Sequence, residues 1–165
     1  MTVHPRILSH LGSGQVSRVV YGSIIGLALV LTLEAHPPTP SAAVGTLLAT
    51  ALAVALAEMY SEHLGGRARA SMGGHREPPR VITANAVAVA IGVAFPSVFF
   101  LAVVLGFMAY GTAFVVAKWS GLALLAGYGF LAARLTGAGM ARSLLEAAAV
   151  AAIAAVLIAL KALVH

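Results

Sequence analysis

The sequence predicts an all-α, polytopic membrane helix bundle with five transmembrane helices, N-terminus inside and C-terminus outside. Three observations carry that prediction. Of the 165 residues 61% are hydrophobic and 9% charged, against about 25% charged in a soluble domain, so one small core cannot hide the apolar surface. The mean hydropathy of +0.99 is concentrated in long apolar runs, each near the ~20 residues that cross a ~30 Å hydrocarbon core. The ten Lys and Arg, set against five acids that are all Glu, fall mostly between those runs, where headgroups and the positive-inside rule place them.

The chain reads as a single transmembrane domain from 1 to 165. Residues 1 to 17, with His4, Arg6 and His10, form a headgroup-level lead-in to helix 1, about 18 to 34. No small-x-small site follows that run, which argues against a cleaved signal peptide. Inside it Gly22 and Gly26 form a GxxxG pair that admits a close neighbouring helix. His36 to Ser41, HPPTPS, is a tight turn whose prolines cannot continue a helix, with Ser41 as the expected N-cap. Helix 2 follows, about 42 to 63. The segment 64 to 80 contains Arg67, Arg69, Arg76 and Arg80 and is expected to be a cytoplasmic basic loop.

Val81 to Ala117 carries no charge and as one helix would be roughly 55 Å long, too long for a bilayer. A break near Gly106 to Gly111 gives helix 3, about 81 to 105 and kinked at Pro96, then helix 4, about 111 to 134. A break at Pro96 gives six spans instead. The five-span division is preferred because it sets Arg6, Arg18, the basic loop, Arg134 and Arg142 on one side. Helix 5, about 142 to 164, is Ala-rich, which favours helix and smooth packing.

Depth then sorts the polar residues. Glu58, Asn85 and Glu146 each fall about one turn inside the inner end of a helix, and Glu58 and Glu62 share a face at i, i+4. Carboxylates at that depth are costly, on the order of 2 to 3 kcal/mol each, so they should face protein or water. Glu58, Glu62, Asn85 and Glu146, with His63 as a further candidate, therefore form the expected site for a hard cation or a proton relay. The competing reading makes Glu62 and Glu146 headgroup-level salt bridges with Arg67 or Arg69 and with Arg142. Glu34, His36, Lys118 and Lys161 form the outer ledge, where Lys118 either snorkels past Trp119 or pairs with Glu34.

Other chemistries lack their residues. With no Cys, disulfides and thiolate sites are excluded. No HExxH, no Asp and no phosphate-cradling glycine loop occurs, so the chain is not expected to be an enzyme. No basic stretch is interleaved with aromatics as nucleic acid requires; the expected partners are the lipid bilayer and further copies of the chain.

The stretches YGSIIGLAL, ALAEMYSEHLG, AGYGFLAAR and LIALKALVH resemble small polytopic membrane proteins of actinobacteria. The end of helix 2, Ala57-Glu58-Met59-Tyr60-Ser61, is similar to the Gly-Glu-Tyr-Ser-like end of helix 2 in the vacuolar iron transporter family. That resemblance implies five spans, an inside N-terminus and a divalent metal ion as cargo, although an Arg-rich segment here replaces that family's Glu-rich one. The expectation is a bacterial inner-membrane protein that binds or transports a small cation. The alternative is a membrane scaffold or accessory subunit that binds a partner or anionic lipid.

Overall fold

The computed structural model describes residues 15–74 and 77–135, together with 139–141, 143–145, 148, 149, 152 and 156. Five helices lie in the two long stretches: α1 (Gln15–Ala35), α2 (Pro40–Ser71), α3 (Pro79–Ala94), α4 (Ser97–Val104) and α5 (Tyr110–Leu135). Among the described residues three helices are long and apolar enough to cross a membrane, Val16–Ala35, Pro40–Ser71 and Tyr110–Phe130. The pair α3 and α4 makes a fourth if it is one broken span. The expected helix 5, with Arg142 and Glu146, lies for the most part outside the described residues.

Local chemistry sets the ends of these helices. α1 stops at Ala35, ahead of Pro37 and Pro38. Proline disfavours α backbone in the residue before it. α2 begins two residues earlier than the expected Ser41 cap allows: Thr39 is the N-cap, its hydroxyl accepting from the Ala42 N–H at 3.3 Å, with Pro40 in the first turn. Proline fits there because that N–H would have no helical partner anyway.

α2 also runs past the expected end at His63 to Ser71, 32 residues in all. At the helical rise that is about 48 Å, so its last turns project beyond a ~30 Å hydrocarbon core. The Arg-Ala-Arg-Ala run is helix-favouring despite Gly65 and Gly66. Gly73 at φ 78° ends it: its N–H donates to the Ala70 carbonyl at 3.1 Å and the Gly74 N–H to Arg69 at 2.8 Å. Those are the two bonds of a Schellman cap, which needs the left-handed backbone that glycine supplies.

The uncharged stretch bends by 50° between α3 and α4, at Phe95 and Pro96. A second left-handed glycine, Gly106 at φ 79°, closes α4 in the same way, with Gly106 donating to Val103 and Phe107 to Ala102 at 2.8 Å. α4 spans eight residues, about 12 Å at the helical rise, and cannot cross a bilayer alone. A division at Pro96 into two full spans is therefore not what the chain adopts.

α1 and α3 form the tightest seam. A Cβ on Gly26 would stand 3.0 Å from the Val93 carbonyl oxygen, and one on Gly92 would stand 2.5 Å from Val19 O and 2.7 Å from Ser23 N. The GxxxG pair is thus used inside the chain, to seat α1 on α3. Gly22 and Gly26 meet Val89 and Val93 in the same order, so the two helices run parallel. α2 runs antiparallel to α3: Leu47 clusters with Phe100, and Ala51 with Val89 and Val93. α5 lies antiparallel on the other side of α1, with Leu125 against Leu27 and Leu31. Phe100, Tyr110 and Phe114 close the far end with edge-on ring contacts, Phe100 to Phe114 at 4.9 Å. Outside stand Leu52, Leu56, Ile91, Val98, Phe107 and Trp119, all exposed. That is the inverted polarity of a body solvated by hydrocarbon.

Candidate functional site

The two ends of the bundle differ in charge. At one end α1 and α2 are joined by an ion-pair chain. Arg18 of α1 pairs through Nη1 with Glu58 Oε1 and through Nη2 with Glu62 Oε1, the latter at 3.2 Å. Glu62 Oε2 in turn takes Arg69 Nη2 at 3.0 Å. The order Glu58, Arg18, Glu62, Arg69 alternates in sign and sums to zero.

α2 supplies both acids because residues four apart lie one above the other on a helix. Arg69 comes back to Glu62 along the same helix, past Gly65, where an added Cβ would stand 3.2 Å from Arg69 Nη1. Gly65 thus leaves the lane in which the Arg69 side chain lies. α1 supplies Arg18 from its first turn. The guanidinium fork suits this position, since two terminal nitrogens can serve two carboxylates at once.

Burial is graded along the chain of charges. The side chains are 11% exposed at Glu58, 17% at Glu62, 31% at Arg18 and 46% at Arg69. Glu58 is the innermost, and its covered Oε1 faces Arg18. Leaving such a group without a counter-charge is costly, and pairing is what makes its burial tolerable.

Asn85 stands at the same level. It lies one turn before Val89 on α3, as Arg18 lies one turn before Gly22 on α1, and Gly22 meets Val89. Asn85 is buried, at 8% exposed. The expected residues Glu58, Glu62 and Asn85 are thus placed at one end of the bundle. His63 is exposed and lines a different space, an open cleft of about 600 Å³ shared with Met59, Glu77, Pro78, Pro79, Ile82 and Thr83. Glu146 lies outside the described residues. Among the described residues no three His, Cys, Asp or Glu side chains gather as metal ligands would.

Arg18 is the member that the sequence alone does not single out. It enters there as an orienting charge, while Glu58 has no cation near it in sequence. The available signal is sidedness: the positive-inside reading sets Arg18 on the same side of the membrane as the Glu58 end of helix 2, and a carboxylate at that depth requires a partner. For Glu62 the partner is Arg69, one of the two arginines considered, and Arg18 adds a second.

The opposite end carries a simpler contact. Lys118 Nζ donates to Glu34 Oε1 at 2.6 Å, joining α5 to α1, and the two side chains are 24% and 29% exposed. The Tyr110 hydroxyl donates to the Pro38 carbonyl at 2.7 Å and ties the α1–α2 turn to α5. Lys118 therefore takes the pairing alternative, and Trp119 beside it is exposed.

Comparison with known proteins gives no matching family model, no matching curated protein and no matching solved structure.

Proposed function

We propose that this chain is a protein of the bacterial cytoplasmic membrane with five spans, the fifth at about 142 to 164, N-terminus inside and C-terminus outside, that binds and moves a small cation as a homo-oligomer. The cargo is a metal ion or a proton-coupled ion. Glu58 is its acceptor, with Glu62 beside it and the Asn85 amide at the same level. The observation that carries the reading is the position of Glu58: a carboxylate nearly nine-tenths covered, between helices, held by an arginine from another helix. Intramembrane acids of this kind mark ion and proton pathways more often than they serve stability.

The wider arrangement is consistent with that role. Arg18, Arg67, Arg69 and Arg80 gather at the Glu58 end, which the positive-inside rule assigns to the cytoplasm. The scaffold alternative would hold a partner through the GxxxG and Ala-rich faces and anionic lipid through the arginine segment, yet α3 occupies the first of these faces through Gly92 and Val93. Transport is the stronger reading for that reason.

Flux into proteoliposomes tests it. Uptake of sodium, potassium, manganese or ferrous ions, with and without a proton gradient, is expected for at least one ion in the wild-type protein and is expected to vanish in Glu58→Gln. Flux that persists unchanged in Glu58→Gln removes Glu58 from the pathway. Silence for every ion under every gradient favours the scaffold.

A further inference from the structure

We propose that Arg18 is a built-in competitor for the cation site: its guanidinium fills the place that a monovalent cation or a proton takes when the site is loaded. The inference rests on the reading of Glu58 as a cation acceptor, and it adds a substrate class and a means of control. Loading is then an exchange of ion pairs. Arg18 keeps its charge and leaves, and the incoming cation takes its partners: a metal ion changes no covalent bond, whereas a proton forms an O–H bond on one carboxylate as hydronium gives up its own and leaves as water.

Geometry and charge support this. One guanidinium spans two acids, Nη1 on Glu58 and Nη2 on Glu62, while Arg69 holds the other oxygen of Glu62. With both arginines in place the four groups are neutral. Without Arg18 they carry a single negative charge, which one monovalent cation or one proton cancels. A divalent ion would overshoot to positive, and among the described residues no third carboxylate or imidazole joins the pair as a metal ligand.

Arg18 is also placed to leave Glu58. It lies near the start of α1, and its side chain is 31% exposed. A long stem at that depth reaches lipid phosphate or water readily. It also bridges helices that pack mainly on α3 rather than on each other, so its departure opens no close-packed seam. Arg69 reaches Glu62 alone, from the same helix, and cannot gate Glu58.

Equilibrium dialysis of radiolabelled guanidinium against the purified full chain in micelles tests the idea, since guanidinium is the group that Arg18 sets between the two acids. An internal competitor reduces apparent affinity by the fraction of time it leaves the site empty, so Arg18→Ala should bind guanidinium about ten-fold or more tighter than wild type. Adding Glu58→Gln to Arg18→Ala should abolish that gain, and sodium should displace the label at no higher concentration than magnesium does. Arg18→Lys, which keeps a charge but cannot fork across both acids, should show a smaller gain and provides a readout if Arg18→Ala does not fold. No gain in either folded variant overturns the competitor, and preferential displacement by magnesium overturns the monovalent assignment. A binding gain without flux in any variant keeps the competitor and discards the carrier. Flux lost in Glu58→Gln without a binding gain in the Arg18 variants discards the competitor alone.

Discussion

Gly92 of α3 lies against Val19 of α1 so closely that a Cβ added to the glycine would stand 2.5 Å from the valine carbonyl oxygen. Backbone, not a flexible side chain, is what that Cβ would meet, so the seam can only part. Gly92→Ala and Gly22→Ala are expected to destabilise the bundle by about 1 to 3 kcal/mol each, the usual range for overpacking. Gly45 is the contrast, a helical glycine with nothing within 4 Å of its added Cβ. Gly45→Ala should stabilise by about 0.5 to 1 kcal/mol, because alanine loses less backbone entropy on folding. Thermal unfolding of the three variants in one detergent checks both signs, and equal effects at Gly92 and Gly45 would show that the crossing is looser than described.

The same seam sets the level of the charged end, and the ion pairs there predict an asymmetry. Arg18→Gln strands a carboxylate that is 11% exposed, whereas Glu58→Gln leaves Arg18 with Glu62. Removing one partner of a fully buried pair costs about 3 to 5 kcal/mol, and partial exposure reduces that to roughly 1 to 3 for Arg18→Gln. Glu58→Gln should cost less. A double-mutant cycle on Arg18 and Glu58, read by unfolding midpoints, should return a coupling larger than the one between Arg69 and Glu62. The reverse order would place the interhelical contact below the exposed one along α2.

Lys118 and Glu34 provide the control for charge without function. They join α5 to α1 at the opposite end, both side chains about a quarter exposed. Pairs that open to water contribute about 0 to 1 kcal/mol and weaken with salt. Lys118→Met is expected to lower stability by no more than that and to leave flux at the wild-type rate. Flux lost in Lys118→Met as completely as in Glu58→Gln would assign the pathway to both ends.

What the sequence made legible follows from which interactions are local. The helical class, the breaks at His36 to Thr39 and near Gly106, and the membrane character follow from proline, glycine and hydropathy, whose effects lie within a few residues. The length of α2 is not legible from charge, because Arg67 and Arg69 read as loop residues. A helix continues past the hydrocarbon boundary wherever its residues favour helix and a cap such as Gly73 is still ahead. Glu58 and Glu62 follow from depth and i, i+4 spacing. Arg18 does not follow in that way, because its pairing depends on α1 and α2 flanking α3, a relation that no sequence window contains.

The bend at Pro96 leaves one relation that chemistry can read directly. Met72, just past the end of α2, and Phe107, just past the end of α4, are 78% and 81% exposed. If α3 and α4 together cross the bilayer, these residues stand on opposite faces; if the 50° bend turns the chain back, they share one. The apolar length of the pair, Pro79–Ala94 with Ser97–Val104, is about 36 Å before the bend shortens it, enough for a ~30 Å core. Crossing is therefore the expected outcome. The chain has no native cysteine, so Met72→Cys and Phe107→Cys each introduce a single thiol. A membrane-impermeant maleimide should label Met72→Cys in inverted vesicles and Phe107→Cys in right-side-out cells. Labelling of both from one side would make α3 and α4 a re-entrant hairpin and remove a span from the bundle.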